Sequence, residues 1–144
     1  MAVDGVAPRY LADKSALARL RHPSVSAVLA PLMLAGEVAT CGVIELEVLY
    51  SARSYQDLIQ TRATRSLAFP MIAMGQVDFD RAADVMAELA RHGHHRAVSL
   101  PDLLLAAVAE RSGLTVLHYD ADYDLIAAVT GQPMQWVVSR GSVP

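Results

Sequence analysis

A single cysteine in 144 residues excludes an internal disulfide and a cysteine-based zinc cluster. Cys41 lies in the apolar stretch Ala39-Thr40-Cys41-Gly42-Val43, where a small buried side chain is the expected role. No apolar run approaches the ~18–20 residues that a membrane span requires. The start, Met1-Ala2-Val3-Asp4-Gly5-Val6-Ala7-Pro8, has neither the basic region nor the apolar stretch of a signal peptide, so a cytoplasmic protein is expected. Basic charge is also short. Twelve Lys and Arg against 15 Asp and Glu leave a net charge of −3, without the footprint of a non-specific nucleic-acid binder. This weighs less against a metal nuclease, whose own carboxylates add to the negative count. Internal repeats, low-complexity linkers and the Ser/His/Asp or Cys/His sets of covalent catalysis are absent as well.

What the chain has is apolar mass. At 53% hydrophobic, residues 1–144 suffice for one domain with a substantial core and leave apolar surface for a partner. Residues 9–12 read as a short buried strand ending at Asp13, and Ser15 is a candidate cap for a helix over 15–21. Pro23 breaks that helix. Val25, Val28, Leu29 and Leu32 then recur at helical spacing over 24–35, before Gly36. A second strand, 38–41, leads into a helix over 42–51. The stretch 55–67 reads as a more polar helix, with Leu58, Ile59 and Leu67 inward and Gln56, Asp57, Arg62 and Arg65 outward. Residues 78–91 form an amphipathic helix with Asp78 at its cap and a broad stripe of Phe79, Ala82, Ala83, Val85, Met86, Leu89 and Ala90. A loop over 92–96, a Leu- and Ala-rich helix over 102–112, a strand over 114–118, a short helix over 123–129 and a last strand over 135–139 complete the chain. Alternation of this kind predicts an α/β fold with a parallel sheet and helices on both faces.

Four widely separated carboxylates edge these apolar segments: Asp13, Glu47, Asp102 and Asp120. In open α/β sheets, ligands bind beyond the carboxyl ends of the strands, where such residues can meet. Converged carboxylates repel one another unless a cation sits among them. Hard oxygen donors suit Mg²⁺ or Mn²⁺, and such an ion can clamp phosphate oxygens and activate water. Glu45 and Glu47 are two apart, so on a helix they diverge by roughly 200° and one alone can face a shared site. Glu47 is assigned to the site, with Glu45 left to an Arg or to solvent. Asp124 is expected to cap the short helix, and His118 and Trp136 to serve as core residue and packing anchor. Met33, Met71, Met74 and Met86 read as core or interface filler. His92, His94 and His95 fit no common zinc spacing and read as a solvated loop. Arg96 is the better candidate for a phosphate contact, since a guanidinium suits bidentate recognition.

The segments Asp13-Lys14-Ser15-Ala16-Leu17, Glu47-Val48-Leu49-Tyr50-Ser51-Ala52, Pro101-Asp102-Leu103-Leu104-Leu105-Ala106-Ala107 and His118-Tyr119-Asp120-Ala121-Asp122-Tyr123 occur in the order of the PIN-domain family. More closely, the whole chain, including the tail from Gln135 to Gly141, resembles VapC-type toxins of bacterial type II toxin–antitoxin pairs. The resemblance implies a PIN-like α/β/α sandwich with a central, mainly parallel sheet. It implies an Mg²⁺-dependent (or Mn²⁺-dependent) endoribonuclease that cuts tRNA or rRNA, forms a homodimer and is neutralised by a small VapB-type antitoxin. By position, Asp13, Glu47, Asp102 and Asp120 are then the acidic quartet and metal ligands, Asp122 an auxiliary acid and Ser15 the hydroxyl that orders the site. Lys14 departs from the Thr that many relatives carry. Its ammonium can contact RNA phosphate, offset the charge of Asp13, or point to solvent. Two other readings stay open: a catalytically silent PIN-fold binding or regulatory module, and a structure-specific DNA nuclease with the same metal chemistry.

Overall fold

A computed structural model describes residues 7–144. The first six residues of the start that lacks signal-peptide character lie outside the described residues. In chain order the elements are β1 (Tyr10–Ala12), α1 (Lys14–Leu17), α2 (Pro23–Leu34), β2 (Val38–Cys41), α3 (Gly42–Tyr50), α4 (Tyr55–Ala68), β3 (Met71–Ile72), α5 (Gln76–Arg91), α6 (Leu100–Ser112), β4 (Thr115–His118), α7 (Asp122–Thr130) and β5 (Met134–Trp136). Among the described residues the strands form one five-stranded sheet in the order β3-β2-β1-β4-β5. Every pairing is parallel, with Tyr10 opposite both Val38 and Thr115.

A parallel sheet must be covered on both faces, and side-chain alternation along the strands assigns the two cores. Leu11, Ala39, Cys41 and Val116 point to one face, where they pack with Ile44 of α3, Val85 and Leu89 of α5, Leu105 and Val108 of α6, and Ile126 of α7. Ala12, Val38 and Leu117 point to the other, against Ala16 of α1 and Val25 and Leu29 of α2. The result is the expected α/β/α sandwich. None of the described helices is long and apolar enough to cross a membrane.

Several local expectations need correction. The helix expected over 15–21 is the short α1, capped by Asp13, whose side chain accepts from the Ser15 N–H. Beyond Leu17 the backbone bonds tighten to three-residue steps (Arg19 to Ala16, Leu20 to Leu17, His22 to Arg19), so the helix ends well before Pro23. In α4, Ile59 and Leu67 are exposed, at 43% and 91%, and Arg65 turns inward to an acid. In α5, Phe79 is 51% exposed and Ala83 and Ala90 face solvent, which narrows the stripe to Ala82, Val85, Met86 and Leu89. Gly75 caps that helix and Asp78 is its third residue, accepting from the Gly75 N–H at 3.0 Å. The buried Asp78 carboxylate also takes two hydrogen bonds from Arg111, at 2.7 and 3.0 Å, which hold it below the usual carboxylate range. Ser99 caps α6, which begins at Leu100, two residues ahead of the expected start. Asp124 lies within the first turn of α7 and accepts from the indole N–H of Trp136 at 3.1 Å, which anchors that ring. Met33, Met74 and Met86 pack against the cores, whereas Met71 is exposed. Strand β3 is two residues long, too short to show alternation in the sequence, and β5 ends three residues before its expected limit.

Candidate metal centre

Asp13 follows β1 and begins a helix, so its carboxylate is held by the local backbone. Its Oδ2 accepts from the Ser15 N–H at 3.0 Å and from the Ser15 hydroxyl at 2.6 Å. The same hydroxyl accepts from the Tyr119 N–H at 2.9 Å, tying α1 to the chain just after β4. Asp102 occupies the first turn of α6, where its N–H donates to the Ser99 hydroxyl and the positive helix end favours an acid. Glu47 comes from α3, the helix that follows β2 without a loop.

Carboxylate oxygens of Asp13, Glu47 and Asp102 lie within 4.8 Å of one another, and so do those of Asp102, Asp120 and Asp122. Asp102 therefore joins two acidic groups. Asp120 is braced on both sides: its N–H donates to Nδ1 of His118 at 3.2 Å, and its Oδ1 accepts from the Asp122 N–H at 2.9 Å. Asp122 in turn accepts from the Ser99 N–H at 3.3 Å.

The electrostatics follow from crowding. Burial first, then the charges of Asp13 and Asp120, push the Asp102 carboxyl up to about 8. Burial and Asp13 raise Glu47, against an opposing pull from Lys14. Carboxyl groups in this condition favour a cation between them. The donors are all hard oxygens, without a histidine or thiolate among them, which fits Mg²⁺ or Mn²⁺ chemistry rather than zinc. Glu45 is turned to the other side of α3. Burial raises its carboxyl, but hydrogen bonds from Arg65, at 2.9 and 2.8 Å, and from the Thr40 hydroxyl outweigh this and hold it low.

The model of the PIN domain matches residues 10–129. The chain is 43% identical over 134 residues to ribonuclease VapC21 of Mycobacterium tuberculosis, covering 93% of this chain and 97% of that protein. It is 44% identical over 138 residues to ribonuclease VapC51 of the same organism, covering 96% and 99%. The chain belongs to the PIN-domain family, in its VapC branch. A chain of the DNA-bound VapBC from Salmonella typhimurium superposes with a TM-score of 0.71 at 14% identity, over 92% of this chain and 100% of that one.

Other candidates occupy different ground in this PIN domain. Lys14 is half-buried at the start of α1 and lines an apolar groove of about 410 Å³ with Leu17, Leu20, Met33, Val48 and Phe69. Arg96 is exposed in the loop before α6. His92, His94 and His95 are exposed too, and none joins a metal-ligand group among the described residues. His118 is fully buried beside the rings of Tyr123 and Trp136, and burial holds its imidazole below the usual range, hence neutral.

One residue at the site escapes sequence reasoning. The hydroxyl oxygen of Tyr123 sits 2.9 Å from Oδ1 of Asp13 and 3.0 Å from Oδ1 of Asp102, its single proton shared between the two. Its ring fills a core position of α7 that periodicity would give equally to Phe. The available signal is the phenol itself, since a buried tyrosine hydroxyl needs a partner.

Proposed function

We propose that this PIN domain is a divalent-metal-dependent endoribonuclease toxin of the VapC type. The observation that carries the reading is the double acidic cluster centred on Asp102, set at the carboxyl ends of the strands in a chain closely related to VapC ribonucleases. Asp13, Glu47, Asp102 and Asp120 would hold the cation, Mg²⁺ by preference and Mn²⁺ as a substitute, with Asp122 as an auxiliary acid. When bound, the cation neutralises the clustered carboxylates and stabilises negative charge developing on a scissile phosphate. The chain supplies the rest. Ser15 fixes the Asp13 carboxylate. Asp120, on the less buried side of the cluster, takes a proton from the water that attacks phosphorus in line, while the P–O bond opposite breaks and the leaving ribose oxygen takes a proton from solvent. The Lys14 ammonium steadies the RNA backbone next to the cluster, and Arg96 contributes a second phosphate contact.

The substrate class is structured cellular RNA, tRNA or rRNA, met in the cytoplasm. A VapB-type antitoxin is the partner that neutralises the enzyme, and the apolar groove beside Lys14 and Arg65 supports a docked partner segment. The toxin itself is read as a homodimer. The deciding test is cleavage of total bacterial RNA by purified protein with Mg²⁺ or Mn²⁺, with EDTA and Asp102→Asn controls. Discrete fragments that need both the metal and Asp102 are expected. Absence of cleavage by folded, metal-supplemented, antitoxin-free protein, or cleavage that survives Asp102→Asn, would overturn the reading.

A further inference from the structure

Tyr123 does more at the cluster than fill space. Its ring is fully buried, 4.8 Å from the ring of His118, so the core fixes where its oxygen sits. That oxygen spans two carboxylates from separate parts of the fold, Asp13 at the end of β1 and Asp102 in the first turn of α6. Ser15 already holds the other oxygen of Asp13, so the hydroxyl completes its restraint. Asp102 otherwise meets acidic neighbours, Asp122 among them, so the tyrosine hydroxyl is its one non-acidic side-chain partner among the described residues. A phenylalanine would fill the same core space without a polar tip to satisfy, so a merely structural role does not account for the oxygen.

We propose that Tyr123 is a positioning residue whose hydroxyl holds the Asp13 and Asp102 carboxylates in one orientation and thereby sets which divalent ions the cluster accepts. The inference rests on the metal-dependent reading above. Its physical basis is the difference between ions: Mg²⁺ demands near-ideal octahedral geometry, whereas Ca²⁺ tolerates variable coordination. Carboxylates released from a shared tether lose affinity for the strict ion and keep it for the tolerant one.

The test compares wild type with Tyr123→Phe, which removes one oxygen; circular dichroism and thermal melting check that the fold is kept. Mn²⁺ uptake is followed by the EPR signal of the free ion, and Mg²⁺ and Ca²⁺ affinities are measured by displacement. The expected result is a Mg²⁺ affinity lower by about tenfold or more, with Ca²⁺ changed by less than about threefold. Two results would overturn the proposal: affinities matching wild type, or equal changes for both ions, the mark of a general charge effect. Asp13→Asn separates this failure from that of the broader reading. Wild-type uptake abolished by Asp13→Asn but untouched by Tyr123→Phe refutes the tyrosine alone. A wild-type protein that takes up none of the three ions refutes both.

Discussion

Replacing Asp102 with Asn should make the metal-free protein more stable while disabling it. Asp102 is 5% exposed, and burial with Asp13 and Asp120 beside it raises its carboxyl to about 8. In an unfolded chain the same group titrates near ~3.9. The folded state therefore binds the proton more tightly than the unfolded state, and stability falls as pH rises from about 4 towards about 8. At pH 7 the roughly three pH units above the unfolded value, at about 1.4 kcal/mol each, set the penalty at no more than about 4 kcal/mol. An amide has the same shape, carries no charge and can keep the contact with the Tyr123 hydroxyl. Urea denaturation in EDTA, followed by circular dichroism at several pH values, should show Asp102→Asn more stable by about 2–4 kcal/mol at pH 7, with the gap closing near pH 4. Adding Mg²⁺ should stabilise wild type and leave the variant nearly unchanged, because only the native wild-type cluster binds it. Parallel pH profiles in EDTA, or a less stable variant at pH 7, would refute the reasoning.

Three further outcomes follow from the geometry. Arg111→Ala strands the buried Asp78 carboxylate with only its Gly75 contact and should cost about 2–3 kcal/mol in thermal or urea unfolding, a figure reduced because Arg111 is itself partly open to solvent. Since Asp78 is held low, the pair's contribution is present above about pH 4 and lost as acid protonates the folded carboxyl; the variant should show a flatter acid limb. Ser15→Ala removes a hydroxyl bonded to both Asp13 and the Tyr119 N–H, and should lower stability by about 1–2 kcal/mol and weaken Mn²⁺ uptake together. Leu29→Ala, in the fully buried core under α2, should cost about 2–5 kcal/mol while the folded protein keeps its Mn²⁺ affinity, separating core damage from site damage.

The alternation of strands and helices was legible because parallel strands here are short apolar runs separated by longer segments with turn and cap residues at their ends, and α5 adds a clear apolar stripe. Segments that lack such patterning were not legible. Strand β3 offers two residues, and its pairing of Met71 with Thr40 is set by β2 and not by its own composition. Leu67 is an apolar residue at helical spacing that is left in solvent, because none of the described residues packs over that side of α4. Arg65 shows the converse: a charged residue turned inward because Glu45 and the Phe69 ring, 4.7 Å away, receive it. At the site, the angular separation of Glu45 and Glu47 along one helix foresaw that they would part, and Arg65 and Thr40 take the former. The roles of Ser99 and Tyr123 depend on elements 21, 23 and 110 residues apart meeting in space, which no local pattern encodes.

The strand order has a consequence for folding. β1 lies between β2 and β4, and its register with β4 joins Tyr10 to Thr115. Asp13 and Glu47 come early in the chain, yet the residue that pairs with Tyr10 on the β4 side of β1, Thr115, lies more than 100 positions after Tyr10. Asp102, Asp120 and the tyrosine that links Asp102 to Asp13 all come late. Both acidic groups include Asp102, so neither can form on a shorter N-terminal segment that stops before α6. Closure of the sheet around β1 and assembly of the acidic cluster are therefore one event in folding, because the strand that fills the sheet beside β1 also carries Asp120 and Tyr123 into place behind it.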